Sequence, residues 1–139
     1  MSPEQVARVR STWALAAASP RDLAATFYAR LFAAAPEVRP LFAHVDPAAQ
    51  AEKLTQTLAV VVKGLDGLPC LIPAVEALGR RHATFGVTDA HWAPVGDALL
   101  WALADVVGPA FDAAARDAWA AAYGALADAM RAPADVGRA

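Results

Sequence analysis

The segment Leu78–Trp92, with the sequence LGRRHATFGVTDAHW, contains the residue around which this chain is organised. That residue, His82, shares a helix face with Val75 seven positions earlier and Phe85 three positions later, because such offsets bring side chains to one side of a helix. Gly86 is expected to end the helix, since glycine adopts the left-handed conformation that closes helices. An imidazole on an apolar stripe beside a sharp corner is either a hydrogen-bonded core histidine or a ligand to a bound group. The segment alone leaves both interpretations open.

The composition indicates one helical domain and excludes several classes of function. The chain has 139 residues, enough for one domain with a core, and it is rich in alanine, the strongest helix former. Its 12 basic residues are scattered and its net charge is -2, so no nucleic-acid partner is expected. No apolar run reaches membrane-spanning length, no signal peptide is indicated, and the single cysteine, Cys70, excludes an internal disulfide. We therefore expect a cytoplasmic protein that does not associate with membranes.

Six substantial helices and one short helical turn are predicted. A polar cap followed by proline marks helix starts at Ser2-Pro3, Ser19-Pro20 and Asp46-Pro47. The prolines of Pro36–Phe42 limit that segment to one tight turn of helix. The helices are expected at 3–19, 20–35, 47–65, 73–85, 89–107 and 112–131. Residues 132–139 show no apolar periodicity and are expected to fray beyond a domain at 1–131.

Apolar residues at helical spacing predict the core. The inward stripes comprise Val6, Val9, Trp13, Leu23, Phe27, Leu31, Leu54, Leu58, Val61, Leu99, Leu103 and Trp119. Trp92 and Trp101 are also expected in the core rather than against a bound group.

Five motifs, in this order and spacing, make the chain resemble a bacterial single-domain globin, similar to the haemoglobin domain of flavohaemoglobins. They are Phe27-Tyr28-x-x-Leu31-Phe32, Pro36–Phe42, Leu68-Pro69 to Val75, His82-x-x-x-Gly86-Val87-x-x-x-His91, and Ala118-Trp119-x-x-x-Tyr123-Gly124. The resemblance covers essentially the whole chain. It implies an all-α globin fold around a pocket for haem b, which is iron protoporphyrin IX.

The resemblance implies a role for each residue that matches the family pattern. His82 matches the proximal histidine that binds the haem iron. Tyr28 and Gln50 match two distal polar groups, whose O–H and N–H donors would strengthen dioxygen binding by about 1 to 3 kcal/mol. Phe42 matches the phenylalanine that packs on the haem face, and Leu54 matches the distal leucine one turn after Gln50.

Two further residues complete the implied pocket. Phe27, with Leu54, would keep the pocket dry and narrow, and Arg81 is a candidate to pair with a haem propionate. Each polar residue has a structural alternative. Tyr28 is alternatively a core aromatic with its hydroxyl at the surface. Gln50 is alternatively a solvent-facing residue or a capping partner in the first turn of its helix, and Arg81 part of a solvated face.

Two positions depart from the flavohaemoglobin pattern. Trp92 stands where that family has a tyrosine supporting the proximal histidine, and in our alignment Ala134 stands where it has a glutamate. An indole only donates hydrogen bonds, and an alanine side chain neither donates nor accepts them. The anionic support that makes a proximal ligand electron-rich is therefore missing. Peroxidase-like activation of an O–O bond is therefore not expected.

The resemblance favours reversible binding of dioxygen, NO and CO, for oxygen transport. The alternative is a nitric oxide dioxygenase that receives electrons from a separate flavin reductase, because 139 residues are too few for a second catalytic domain. A haem-based gas or redox sensor, and a helical bundle without haem, are further alternatives. The protein is expected to be a monomer or a homodimer.

Overall fold

The computed structural model describes residues 2–42, 46–67, 73, 75–77 and 92–138. Within these ranges the chain forms long α-helices and short 3-10 helices, without a strand. The α-helices are α1 (Pro3–Ala16), α2 (Pro20–Ala34), α3 (Pro47–Lys63), α4 (Trp92–Val107) and α5 (Ala113–Arg138). The 3-10 helices are Pro36–Phe42, Leu65–Gly67 and Gly108–Ala110. The predicted all-α class is confirmed, and the short turn expected at Pro36–Phe42 is the first 3-10 helix.

Polar caps begin two of the helices as predicted, but not the third. The Ser2 hydroxyl accepts from the Gln5 N–H at 3.1 Å while the Gln5 side chain accepts from the Ser2 N–H at 3.0 Å, which forms a complete capping box. The Asp46 carboxylate accepts from the Ala49 N–H at 3.4 Å. Ser19 precedes α2 but makes no side-chain cap, because its backbone (φ -131°, ψ 63°) lacks the extended geometry of an N-cap.

The helices pack around one apolar core. The most extensive packing is between α2 and α4, and α1 packs against α5. Most of the predicted inward residues are buried together, namely Val6, Val9, Trp13, Leu23, Phe27, Leu31, Leu58, Val61, Leu99, Leu103 and Trp119. Leu54 is half-buried against this cluster. The pattern of apolar residues therefore identified the inner face of each long helix.

The prediction that Trp101 lies in the core is wrong. This side chain is 53% exposed, because it lies two positions away from both Leu99 and Leu103 and so on a different side of α4. Its ring is covered instead by the Arg30 guanidinium of α2, whose carbon lies 4.3 Å from the ring centroid. The indole is therefore stabilised at the surface by a cation–π contact.

Polar contacts join α1 to the start of α5. The Trp119 indole N–H donates to the hydroxyl of buried Thr12 at 2.7 Å. The Asp112 carboxylate accepts from the Ala115 N–H at 2.8 Å, which caps α5, and from Arg8 at 2.9 Å. The hydrogen bond from Ala115, together with the Arg8 charge, holds the pKa of Asp112 below its usual 3.8.

The last helix is longer than predicted. α5 continues to Arg138, past the expected end near Arg131 and through Pro133. Apolar periodicity reports which residues are buried, so its loss marks the edge of the packed face rather than the end of the helix. The division into a domain at 1–131 and a tail at 132–139 stays a prediction. In the described part of the chain, no helix has the length and apolar character needed to span a membrane.

Candidate functional site: a distal-type cleft

A cleft of about 1500 Å³ lies between α2, the 3-10 helix Pro36–Phe42 and the first half of α3. Tyr28 of α2, Phe42 at the end of the 3-10 helix and Gln50 in the first turn of α3 all line it. Three residues that the sequence assigned to one pocket, from three separate elements, therefore meet at one cleft. Its volume exceeds the roughly 300–1,000 Å³ typical of small-molecule sites, so space does not limit the ligand.

Tyr28 is a neutral hydrogen-bond donor in this cleft. Burial raises the pKa of its phenol above the usual 10.0, and a hydrogen bond with the Gln50 side chain opposes that shift in part. The opposing effect is the one expected when the Gln50 amide N–H donates to the phenol oxygen, because such a bond favours the phenolate. At neutral pH the Tyr28 hydroxyl therefore keeps its proton. That proton remains available to a further acceptor in the cleft.

Three aromatic rings contact the ring of Tyr28. Tyr28 contacts Phe27 edge-on at 4.9 Å between ring centroids, Phe42 edge-on at 5.4 Å, and Phe32 in a stacked arrangement at 5.9 Å. Phe32 also contacts Phe42 edge-on at 5.5 Å, and the guanidinium of Arg39 lies 5.4 Å from the centroid of Phe32. The sequence analysis gave Phe32 no role. Its position one helical turn after Tyr28 was the available signal, since residues four apart share a helix face.

A smaller apolar cavity of about 140 Å³ lies on the other side of this aromatic group. Phe27 and Leu54, the two residues expected to keep the pocket dry, both border it. Val75 also borders it and is buried, as its place on the apolar stripe of His82 predicts. Phe27 therefore borders the interior cavity and contacts Tyr28, which lines the cleft.

The start of α4 is fixed by Tyr123 of α5. The Tyr123 hydroxyl donates to the backbone carbonyl of Trp92 at 2.5 Å. Its ring lies directly on Gly96, where a Cβ atom would come within 2.6 Å of the ring edge. Tyr123 belongs to the motif Ala118-Trp119-x-x-x-Tyr123-Gly124, but its contact with Gly96 was not predicted, because nothing in either sequence segment marks a pairing of residues 27 positions apart.

The structure brings together part of the predicted site. The candidate residues that lie within the described ranges, and that line either the cleft or the adjoining cavity, are Phe27, Tyr28, Phe42, Gln50 and Leu54. His82 and Arg81 lie outside the described residues, so their roles stay predictions. The same holds for the helix end at Gly86.

The chemistry of the described residues fits the distal side of a haem pocket. A neutral phenol O–H and a carboxamide stand among aromatic rings, and apolar walls adjoin them. Donors that are partly shielded from water suit a small ligand that carries partial negative charge, because hydrogen bonds strengthen as water is excluded. An all-α chain with such a site between its second and third long helices has the architecture of a globin.

Comparison with known proteins identifies the family. The globin family model matches residues 25–130, and this chain belongs to that family. It is 36% identical over 130 residues to a flavohemoprotein of Bordetella parapertussis, covering 92% of this chain and 32% of that protein. It is also 36% identical over 132 residues to a flavohemoprotein of Deinococcus radiodurans, covering 94% of this chain and 33% of the relative. The chain thus spans about a third of the length of these relatives.

Solved structures agree on the fold. A bacterial globin from Campylobacter jejuni superimposes with a TM-score of 0.84 at 24% identity, covering 99% of this chain and 100% of that one. An engineered carbene transferase, made from a proposed nitric oxide dioxygenase of Rhodothermus marinus, gives a TM-score of 0.85 at 28% identity and covers 99% and 96% of the two chains. The resemblance found in the sequence is confirmed. Membership of the globin family implies haem binding.

Proposed function

We propose that this chain holds haem b through His82 and binds dioxygen, NO and CO reversibly, for oxygen binding and transport. The observation that supports the proposal most directly is the meeting of Tyr28 and Gln50 in one cleft, where the half-buried phenol is protonated at neutral pH. The two side chains hydrogen bond to each other and leave the phenol O–H available to a further acceptor. They suit a small acceptor ligand. The cytoplasmic location remains a prediction.

Haem, when bound, would supply a ferrous iron that takes up diatomic gases. His82 would ligate that iron through one ring nitrogen and needs a hydrogen-bond acceptor for the other. Val75 lies seven residues before His82, so a continuous helix would turn both toward the apolar cavity that Val75 borders. Phe42 would pack on the face of the macrocycle, and Arg81 would pair with a propionate.

The described residues act on the ligand and on its surroundings. Tyr28 would donate its O–H to the ligand, and the Gln50 amide would hold that hydroxyl in place or donate alongside it. Hydrogen bonds to a charged acceptor contribute about 1 to 3 kcal/mol, which is roughly five- to hundredfold in affinity. Phe27 and Leu54 exclude water from the adjoining cavity, since their side chains form part of its apolar wall. Dioxygen accepts these hydrogen bonds more strongly than CO does, because bound dioxygen carries more negative charge.

Absorption spectra and dissociation rates test this proposal. The protein reconstituted with haem should show a Soret band that shifts on addition of CO, and His82→Ala should lose that iron coordination. Replacing the phenol in Tyr28→Phe should speed dioxygen dissociation roughly five- to hundredfold while changing CO dissociation much less. No Soret band after haem addition, or the same dioxygen rate in Tyr28→Phe, would contradict the proposal.

Gln50 has a matched control on the same helix. Gln56 is exposed and hydrogen bonds to Glu52 at 3.3 Å, so it shares the residue type and helix of Gln50 without its contact to Tyr28. We expect Gln50→Leu to speed dioxygen dissociation and Gln56→Leu to leave it unchanged. Equal effects of the two substitutions would show that the Gln50 amide takes no part in ligand binding.

The likeness to flavohemoproteins and to the Rhodothermus marinus protein favours a second function, nitric oxide dioxygenation with a separate flavin reductase. Tyr28 and Gln50 serve this reaction through the same hydrogen bonds. The two functions differ in turnover. Mixing the oxygen-bound protein with NO, a flavin reductase and its nicotinamide donor should yield many equivalents of nitrate for a dioxygenase. A single equivalent would leave ligand binding as the function.

A further inference from the structure

One aromatic side chain contacts both of the rings that the proposed function places at the ligand. Phe32 stacks on Tyr28, with ring centroids 5.9 Å apart and an interplanar angle of 27°, and it meets Phe42 edge-on at 5.5 Å. It is half-buried and lines the same cleft. Phe32 carries no polar atom, so it makes no hydrogen bond to a ligand, but it can act on one through the side chains it touches.

The hydroxyl of Tyr28 depends on such contacts for its direction. It stands at the end of a long ring, so a small rotation at the Cβ atom moves the O–H proton out of hydrogen-bond reach of a ligand. Phe27 and Phe42 meet the ring of Tyr28 edge-on, at interplanar angles of 69° and 62°. Phe32 is the contact that lies nearly parallel to it. A parallel neighbour restricts tilting of the ring, which edge contacts leave less constrained.

Phe32 is itself supported from outside and from its own helix. It follows Tyr28 by four residues in α2, so the helix holds the two rings on one face. The Arg39 guanidinium lies 5.4 Å from the Phe32 centroid, and Arg39 is exposed. This cation–π contact links the ring to the 3-10 helix Pro36–Phe42, at whose end Phe42 stands.

From this geometry we infer that Phe32 is a positioning residue, which sets the direction of the Tyr28 hydroxyl toward the ligand and couples it to Phe42. The inference rests on the proposed function, in which Tyr28 donates to dioxygen. It adds that the residence time of dioxygen is set partly by a side chain that does not touch the ligand. It also assigns Arg39 to the support of that side chain.

A double-mutant cycle between Phe32 and Tyr28 tests the inference. Phe32→Leu removes the planar ring, and we expect it to speed dioxygen dissociation about two- to tenfold, within the range of coupling measured between contacting residues. In the Tyr28→Phe background the same substitution should change the rate by less than about 1.5-fold, because no hydroxyl remains to be positioned. Phe32→Met, which keeps much of the volume without the plane, should act in the same direction and serves if Phe32→Leu folds poorly.

Phe111 provides the matched control. It is a half-buried phenylalanine packed against the core, and it does not line the cleft with Tyr28. Phe111→Leu should lower the free energy of unfolding to a similar extent while leaving dioxygen dissociation unchanged. A rate change as large as that of Phe32→Leu would show that the rate responds to loss of stability alone, and would overturn the inference.

Two spectroscopic measurements report on the position and surroundings of the Tyr28 hydroxyl without a rate measurement. In the CO-bound protein, Phe32→Leu should shift or broaden the CO stretching band, which responds to nearby donors. In protein labelled with ¹³C at the tyrosine ζ carbon, it should lower the pKa of Tyr28 toward 10.0, since water reaches a ring that has lost its cover. Phe111→Leu should change neither.

The outcomes separate the two proposals. If Tyr28→Phe speeds dioxygen loss but Phe32→Leu and Phe32→Met do not, the positioning role is wrong and the proposed function stands. If Phe32→Leu speeds dioxygen loss equally with and without the Tyr28 hydroxyl, Phe32 acts by another route and the inference is also overturned. If Tyr28→Phe itself has no effect, the donor role of Tyr28 fails and the inference fails with it.

Discussion

The contact between Gly96 and Tyr123 makes a sharp prediction about stability. Replacing Gly96 with alanine adds one methyl group to the second turn of α4. The new Cβ would lie 2.6 Å, 3.0 Å and 3.2 Å from three atoms of the Tyr123 ring. The ring is not free to swing aside, because its hydroxyl is bound to the Trp92 carbonyl at the start of the same helix. The substitution must therefore displace α5 from α4 or break that hydrogen bond.

The sign follows from opposing contributions. Alanine in a helix interior is more favourable than glycine by about 0.5–1 kcal/mol. Overpacking costs about 1–3 kcal/mol, and loss of the hydroxyl bond costs about 0.5–1.5 kcal/mol more. The overlap therefore prevails, and we expect Gly96→Ala to lower the free energy of unfolding by about 2 kcal/mol. For a domain of this size that corresponds to roughly 5–10 °C in melting temperature.

Gly124 in α5 provides the matched control. A Cβ atom built there meets nothing within 4 Å, so Gly124→Ala gains helix propensity without a clash. We expect it to raise the free energy of unfolding by about 0.5–1 kcal/mol. Urea unfolding followed by circular dichroism measures both variants against the parent. The two alanine substitutions should thus have opposite signs.

A stabilising Gly96→Ala would refute the reasoning, because it would mean that the Tyr123 ring yields at little cost. The double variant Gly96→Ala/Tyr123→Leu refines the test. With the ring gone, the added methyl group no longer overlaps an edge, so Gly96→Ala should become neutral or favourable in that background. An unchanged penalty would place the strain elsewhere in α4.

Two other predictions concern the contacts between α1 and the start of α5. Thr12→Val leaves the buried Trp119 indole N–H without its 2.7 Å acceptor, so we expect a loss of about 1–3 kcal/mol in urea unfolding, whereas exposed Ser11→Ala should change stability by less than about 0.5 kcal/mol. Asp112→Asn keeps a capping side chain but removes the charge beside Arg8. Folding lowers the pKa of Asp112 below 3.8, so the charged carboxylate stabilises the fold above pH 3.8, and this stabilisation is lost as the pH falls through the lower pKa of the folded state. The stability difference between parent and Asp112→Asn should therefore vanish in acid, and a difference that persists at pH 2 would contradict the assignment.

The helices were predictable where a local signal sufficed. Proline at the first helical position fixed the starts of α1, α2 and α3, because it lacks the N–H that a first turn leaves unpaired. Ser19 shows the limit of that signal. The residue type suits an N-cap, but the turn from α1 into α2 sets a backbone geometry from which its hydroxyl does not cap the helix.

The residues that line the described cleft were predictable, but their arrangement was not. Tyr28 and Gln50 are 22 positions apart, and only the packing of α2 against α3 brings their side chains together. The contact between Phe32 and Tyr28 could have been predicted more easily, since helical spacing alone places the two rings on one face. The close contact between Gly96 and the Tyr123 ring is possible because glycine has no side chain, and a single glycine in a helix gives no sequence pattern that would predict such a contact.

Two adjacent residues of α2 line different spaces: Tyr28 lines the cleft and Phe27 borders the apolar cavity. One helix thereby positions a polar donor next to an apolar interior. Successive residues on a helix project about 100° apart, so Phe27 and Tyr28 cannot both point the same way. Phe27, 5% exposed, borders the apolar cavity with Leu54, while Tyr28 lines the cleft with Gln50. Their edge contact at 4.9 Å joins a residue of the cavity lining to a residue of the cleft lining. A substitution of Phe27 therefore changes both the cavity lining and the contact with the Tyr28 donor, whereas a substitution of Leu54 changes the cavity lining alone. The polar donor and part of the apolar cavity wall are thus supplied by neighbouring residues of one helix.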